Sequence, residues 1–298
     1  MMKIRTLPSV KPWPDKKTLK GFIILPKPGI VMLVIVSGYT GLILGSNGMP
    51  DSYTAFWTLL GLSMATAGSA VLNNFLDRDI DSVMHRTRDR SLPSGAVSAN
   101  QAYIIGTVLV AVSLSVLKIS IGFWVTVLTG AAVFNYVVMY TMYLKRTTPL
   151  ATHIGGVAGA LPPMIGYTAA KGVIDDQALI LFLIIVVWQQ PHFWSLALKY
   201  RKDYARASVP ILPVAKGVYA TKIRLFWYTL ALLPVSVLPF ALEMAGIYYL
   251  IAAIAAGALY MWLTVKFLMS DKDKEMVLFF YSIAYLMVIF GAMVIDLV

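Results

Sequence analysis

Residues 53–81 read YTAFWTLLGLSMATAGSAVLNNFLDRDID. The uncharged run 53–73 is long enough, as a helix, to cross the ~30 Å hydrocarbon core of a bilayer. The next eight residues bring three aspartates and an arginine. An apolar helix that ends in so polar an edge describes a membrane span whose last turns emerge into water. Eight further apolar runs lie near 28–46, 101–117, 120–142, 152–170, 177–197, 223–242, 246–265 and 276–297. They predict an all-α polytopic membrane protein with nine transmembrane helices in one bundle. The third and fourth runs meet at Lys118 with almost no loop, and the fifth contains Pro162 and Pro163, which a bundle tolerates where neighbours satisfy the freed backbone. Gly155, Gly156 and Gly159 in the fifth run read as positions of close helix packing.

Composition agrees. Of 298 residues, 59% are hydrophobic and 13% charged, against about half and about a quarter in a soluble domain, and the mean hydropathy is +0.75. This excludes a soluble enzyme, a disordered regulator and a nucleic-acid partner, since the formal charge of +11 has no soluble surface on which to act. With no cysteine there is no disulfide framework, thiol nucleophile, iron–sulfur cluster or Cys-ligated zinc. Residues 1–27 carry lysines without an apolar core and read as a retained cytoplasmic tail, leaving 28–298 as the membrane domain.

Nine spans put 23 of the 25 lysines and arginines on the side of the tail, and only Lys118 and Lys171 on the other. Positive side chains resist translocation. The tail and the large loops near 74–100 and 198–222 are therefore expected to face the cytoplasm and Val298 to lie outside. The bacterial inner membrane is the expected location.

Asn73, Asp77 and Asp81 recur at i, i+4 and i+8, so one helix face carries all three. Stacked carboxylates repel each other unless a cation neutralises them. Oxygen ligands of this kind suit Mg²⁺, which takes one or two carboxylates and completes its shell with water and phosphate oxygens. The competing reading is a solvated helix end, disfavoured because such groups are costly at a lipid boundary. Asp79 falls on the opposite face, where Arg78 or Arg86 is the expected partner. Arg86 and Arg90, four apart, have the guanidinium forks that grip a diphosphate. Anchoring to anionic headgroups is the alternative. The second large loop adds Lys199, Arg201, Lys202, Asp203, Tyr204 and Arg206, in which Asp203 is the one candidate further metal ligand. Lys145 and Arg146 extend the basic ring after the fourth span. Of the three histidines, His85 reads as structural, whereas His153 and His192 are candidates for touching a polar substrate.

The run Asn73-x-x-x-Asp77-Arg-Asp-Ile-Asp81-x-x-Met84-x-Arg86-Thr87-x-x-Arg90 resembles the first motif of the UbiA-like intramembrane prenyltransferases. Three more segments resemble the haem-farnesylating branch of that family: Tyr143-Leu-Lys-Arg-Thr147, Gly155-Gly-x-x-Gly159-Ala-x-Pro162-Pro-x-Ile-Gly166, and Trp188-Gln-Gln-Pro-His192-Phe-Trp194. The last continues through Lys202-Asp203-Tyr204 to Val209-Pro-Ile-Leu-Pro213. The chain departs from the pattern in having Arg90-Ser91-Leu92 where Arg-Pro-Leu is usual. Only Asp203 stands where the wider family has a second aspartate-rich motif, which leaves the number of magnesium ions open.

The resemblance implies transfer of farnesyl from farnesyl diphosphate to a vinyl group of haem B with addition of water, giving haem O and diphosphate. It implies Mg²⁺ as cofactor, with Asp77, Asp81, Arg86, Lys202 and Asp203 as catalytic residues. Asn73, Arg90, Lys145, Arg146, His153, His192, Lys199, Arg201 and Tyr204 would bind substrate, and Asn73, Asp77, Asp81 and Asp203 the metal. The expected partners are membrane lipid, haem A synthase and terminal oxidase assembly factors. The alternatives are prenylation of another aromatic acceptor such as a quinone precursor, or a non-catalytic haem transporter or assembly factor.

Overall fold

The computed structural model describes residues 16–270 and 274–297, so residues 1–15 of the expected tail and Val298 lie outside the described residues. Among the described residues nine long helices follow one another: α1 (Pro28–Ser46), α2 (Ser52–Leu76), α3 (Ala99–Ser120), α4 (Phe123–Thr147), α5 (Ala151–Lys171), α6 (Asp176–Lys199), α7 (Gly217–Val235), α8 (Ile247–Leu268) and α9 (Glu275–Ile295). Eight of these segments are apolar enough to cross a membrane. The exception is α5, whose glycines, prolines and His153 dilute its apolar residues. The chain is thus a multi-pass membrane protein, with eight membrane-length apolar helices among the described residues against the nine spans expected, the fifth run forming a helix too poor in apolar residues to count.

Local punctuation sets the helix ends. Asp51 accepts from the Thr54 amide at 2.9 Å at the start of α2, and Asp175 accepts from the Ala178 amide at 3.1 Å before α6. Ser98 and Gln101 form a capping box on α3. Gly172, at φ 80°, closes α5 in the left-handed conformation that a side chain disfavours.

The least lipophilic helix is the central one. α5 packs along α1, α4 and α6; α6 in turn packs against α7 and α9, and α9 touches α1 to close the ring. Large side chains such as Met32, Leu33, Trp262, Phe280 and Met287 are more than half exposed and face outward. Lipid solvates that apolar surface as well as a protein interior does, so close van der Waals packing holds the bundle together. The α1–α5 crossing shows how close it is: a Cβ at Gly41 would collide with the Pro163 backbone, and one at Gly166 with the Gly38 backbone. Gly166→Val is expected to abolish recovery of monodisperse, detergent-solubilised protein. Gly29→Ala, with open space around it, should leave recovery unchanged, and size-exclusion chromatography compares the two.

Short helices gather at the end of the bundle that carries the acidic edge. The helix Lys16–Ile24 precedes α1, Arg78–Val83 follows α2, and Arg201–Arg206 and Leu212–Ala215 follow α6. Ile80 and Met84 pack against Ala197, Val209, Ile211 and Tyr204, which brings the two large loops together. Phe22 and Leu25 pack against Val71, Phe75 and Val97. The last part of the expected tail is therefore docked against the bundle.

Candidate active site

α2 ends at Leu76, and Asp77 (φ −89°, ψ 3°) is the pivot into the helix Arg78–Val83. The i+4 ladder continues through the pivot, with Asp77 N to Asn73 O at 2.9 Å and Asp81 N to Asp77 O at 2.8 Å. Asn73, Asp77 and Asp81 thus share the expected face, and all three are buried, at 4%, 1% and 2% exposure.

Two cations, Lys145 and Arg90, pair with the carboxylates of this face, and a third basic side chain, Lys27, whose ammonium burial pulls down to about 7, reaches Asn73. Lys145 of α4 donates to Asp77 Oδ2 at 2.6 Å. Arg90 grips both oxygens of Asp81 through one nitrogen, at 2.8 and 2.9 Å. Lys27, arriving from the docked N-terminal segment, donates to Asn73 Oδ1 at 2.6 Å and lies within electrostatic reach of Asp77, Asp81, Arg90 and Lys145. Asn73 Nδ2 donates to Asp77 Oδ2 and to Thr141 Oγ1. Two donors therefore share Asp77 Oδ2, while the buried Asp77 Oδ1 has no partner. A carboxylate oxygen so placed costs several kcal/mol unless something binds it.

The opposite wall is made by the π-helical stretch Phe134–Leu144 of α4. Thr141 Oγ1 donates to Tyr136 O, five residues back, at 2.7 Å. The wider winding brings Tyr136 and Tyr140 into a parallel stack with centroids 5.8 Å apart. Insertions of this kind recur at functional sites because they redirect side chains that a regular helix would turn elsewhere. Tyr140 lies against Gly155 and within electrostatic reach of Lys145, Tyr204, Asp77 and Arg86. Gly155 and Gly156 are packing positions as expected, and they seat Tyr140 and Gln189.

The other candidates spread outward from this centre. Arg146 chelates Asp79 at 2.7 Å through each guanidinium nitrogen, a partner different from the Arg78 or Arg86 expected. The hydrogen bonds from Arg146 hold the Asp79 carboxyl down to about 2. The pair's contribution to stability is therefore complete above the ordinary carboxylate range and lost as pH falls through about 2. Arg86 is exposed and stacks over Tyr200 at 5.1 Å, apart from the Asp81–Arg90 pair. Asp203 pairs with Arg206 at 3.3 Å, and among the described residues no three His, Asp or Glu side chains form a metal-binding group. The set Asn73, Asp77, Asp81 and Asp203 is not assembled as one cage. Lys199 lies 4.0 Å from Glu275, Arg201 donates to Leu198 O, and Lys202 is exposed. His192 is stacked between Trp188 and Phe279, with Nδ1 2.7 Å from Ser282 Oγ. His153 lies against Trp194 and Tyr228 with its buried Nδ1 unpartnered.

Two carboxylates and an amide, with one orphaned buried oxygen, fit an ion that takes few protein ligands and completes its shell from phosphate. Sequence reasoning missed Lys27, Tyr136, Tyr140 and Thr141 as residues gathered around the acidic face.

The chain belongs to the UbiA prenyltransferase family, whose model matches residues 34–289. It is similar to the protoheme IX farnesyltransferase of Aquifex aeolicus (strain VF5), 47% identical over 283 residues that cover 95% of this chain and 97% of that one. The protein of the same name from Thioalkalivibrio sulfidiphilus (strain HL-EbGR7) is 41% identical, covering 91% and 90%. Among solved structures, a digeranylgeranylglyceryl phosphate synthase shares the fold with a TM-score of 0.80 at 18% identity, covering 94% of this chain and 98% of that one. A UbiA homologue from Archaeoglobus fulgidus bound to GPP and Mg²⁺ does so with a TM-score of 0.64 at 16% identity, covering 92% and 99%.

Proposed function

We propose that this prenyltransferase moves the farnesyl group of farnesyl diphosphate to a vinyl group of haem B, with addition of water, giving haem O and diphosphate. The names of its similar relatives support the acceptor. The observation that carries the chemistry is the buried Asn73–Asp77–Asp81 edge, ringed by Lys27, Arg90 and Lys145 with Asp77 Oδ1 left unpartnered.

Asp77, Asp81 and Asn73 would hold Mg²⁺, which neutralises charge on the departing diphosphate oxygens. Lys145 and Arg90 then turn from the carboxylates, and Lys27 from the Asn73 amide oxygen, to phosphate oxygens, so basic groups already in place meet the charge that builds as the C1–O bond breaks. Arg86, Lys199, Arg201, Lys202 and Tyr204, at the rim, would guide the diphosphate in. Asp203 stays beside Arg206, outside the first metal's shell. The Tyr136–Tyr140 stack shields the allylic cation from premature water. The site faces the cytoplasm across a bacterial inner membrane, and haem A synthase and oxidase assembly factors are proposed recipients of the product.

Purified protein given haem B and farnesyl diphosphate is expected to yield a haem heavier by one farnesyl group and one hydroxyl group. EDTA should abolish this product and Mg²⁺ restore it. A product formed equally well in chelator, or farnesyl appearing on an added quinone precursor instead of haem, would overturn the reading.

A further inference from the structure

The helix Lys16–Ile24 has two unlike sides. One is docked: Ser91 Oγ donates to Gly21 O at 2.9 Å, Asn74 Nδ2 donates to Leu25 O at 2.8 Å, and Phe22 and Leu25 pack against Val71, Phe75 and Val97. The other side carries Leu19, Ile23 and Ile24, exposed to 55%, 63% and 50%. Exposed Lys20 falls between Ile23 and Ile24 around the helix axis, and the sequence adds Lys16 and Lys17 to the same helix. Aliphatic side chains interleaved with lysines are the pattern of a helix lying in the plane of a membrane surface. Lysine stems run along apolar surface there, and their ammonium groups meet acidic headgroups.

The depth of this helix fits that place. The apolar stretch Thr18–Ser46 has 29 residues, more than a bilayer needs, and the turn at Lys27 divides it. α1 alone, with 19 residues, rises about 28 Å and matches the ~30 Å hydrocarbon core. Pro28 therefore enters the bilayer at its boundary, and the helix before it lies at headgroup level. Next to the docked side, the Tyr103 ring lies 5.5 Å from the Phe75 ring and the Arg78 guanidinium 4.7 Å over it, an aromatic and a cation suited to the same boundary. Lys27 joins the two helices in a left-handed conformation (φ 55°, ψ 66°) that a side chain disfavours. What holds the short helix thus also holds Lys27.

We propose that the partner of the outward side is the acidic surface of the membrane, and that contact with it keeps the helix docked and Lys27 seated on Asn73. This holds whichever acceptor the enzyme prenylates. Amide hydrogen exchange of the full chain in lipid nanodiscs tests it, because exchange reads how often a segment opens. The amides of Leu25 and Lys27, bonded to Gly21 O at 3.1 Å and Ile24 O at 3.0 Å, report the docked state. They are expected to exchange about tenfold more slowly in phosphatidylglycerol than in phosphatidylcholine, since each lysine near an acidic surface is worth about fivefold in binding. Lys20→Gln should narrow that difference by up to about fivefold, and high salt should remove most of it. Ile23→Asn should speed exchange in both lipids. Exchange within α9 measures whether each variant keeps an intact bundle. Equal exchange of the wild-type chain in the two lipids overturns the proposal, because the outward side then meets another part of the chain or a second copy. Exchange unmoved by both substitutions overturns it as well.

Discussion

Replacing Asp77 with alanine is expected to lower farnesyl transfer by about 10³-fold or more, with Asp81→Ala close behind. Asp77 carries the one orphaned oxygen in the buried face and forms the pivot between α2 and the helix Arg78–Val83. Its loss removes the ligand with room for a metal and leaves Lys145 without its anionic partner. Turnover is measured by product mass, insertion by the amount of chain in the membrane fraction. Full insertion with lost turnover is the expected result, and retained turnover in both variants refutes the assigned role. Binding of an unreactive farnesyl thiodiphosphate should weaken in parallel, because the carboxylates act through the metal-bound diphosphate.

Lys145→Met is expected to have the next largest effect, through two separable consequences. A buried carboxylate that loses its ion-pair partner destabilises a protein by about 3–5 kcal/mol, and Asp77 is 1% exposed. The free variant should therefore melt at a lower temperature. Mg²⁺ with farnesyl thiodiphosphate supplies the missing positive charge, so the same ligands should raise the melting temperature more in Lys145→Met than in wild type. Turnover should fall about 10²-fold because the lysine also meets charge on the leaving group. Equal ligand-induced shifts in the two proteins would show that Lys145 does not exchange between carboxylate and diphosphate.

Much of this architecture is legible along the chain because lipid imposes one length on every spanning helix. The apolar runs at 28–46 and 53–73 became α1 and α2 with almost the expected ends. The fifth run was harder to read for a reason that its position explains: a helix surrounded by others needs glycine and proline surface more than lipophilicity. At the site, the spacing of Asn73, Asp77 and Asp81 was readable because all three lie on one helical ladder. Their cationic partners were not, since Lys27 and Lys145 come from 46 and 68 residues away. Lys145 and Arg146 looked equivalent as neighbours in a basic pair. The fold divides them, one to buried Asp77 and one to exposed Asp79. The π-helical winding of α4 has no composition to announce it, so Tyr136 and Tyr140 were invisible until that helix was seen to widen.

Lys27 reaches Asn73 from a segment anchored by its own contacts: Asn74 Nδ2 holds Leu25 O at 2.8 Å, and Ser91 Oγ holds Gly21 O at 2.9 Å. The bolt on the reaction chamber is thus fixed to a separate strap. Substitutions that free residues 21–25 from Asn74 and Ser91 are expected to draw Lys27 off Asn73 while leaving the bundle itself intact.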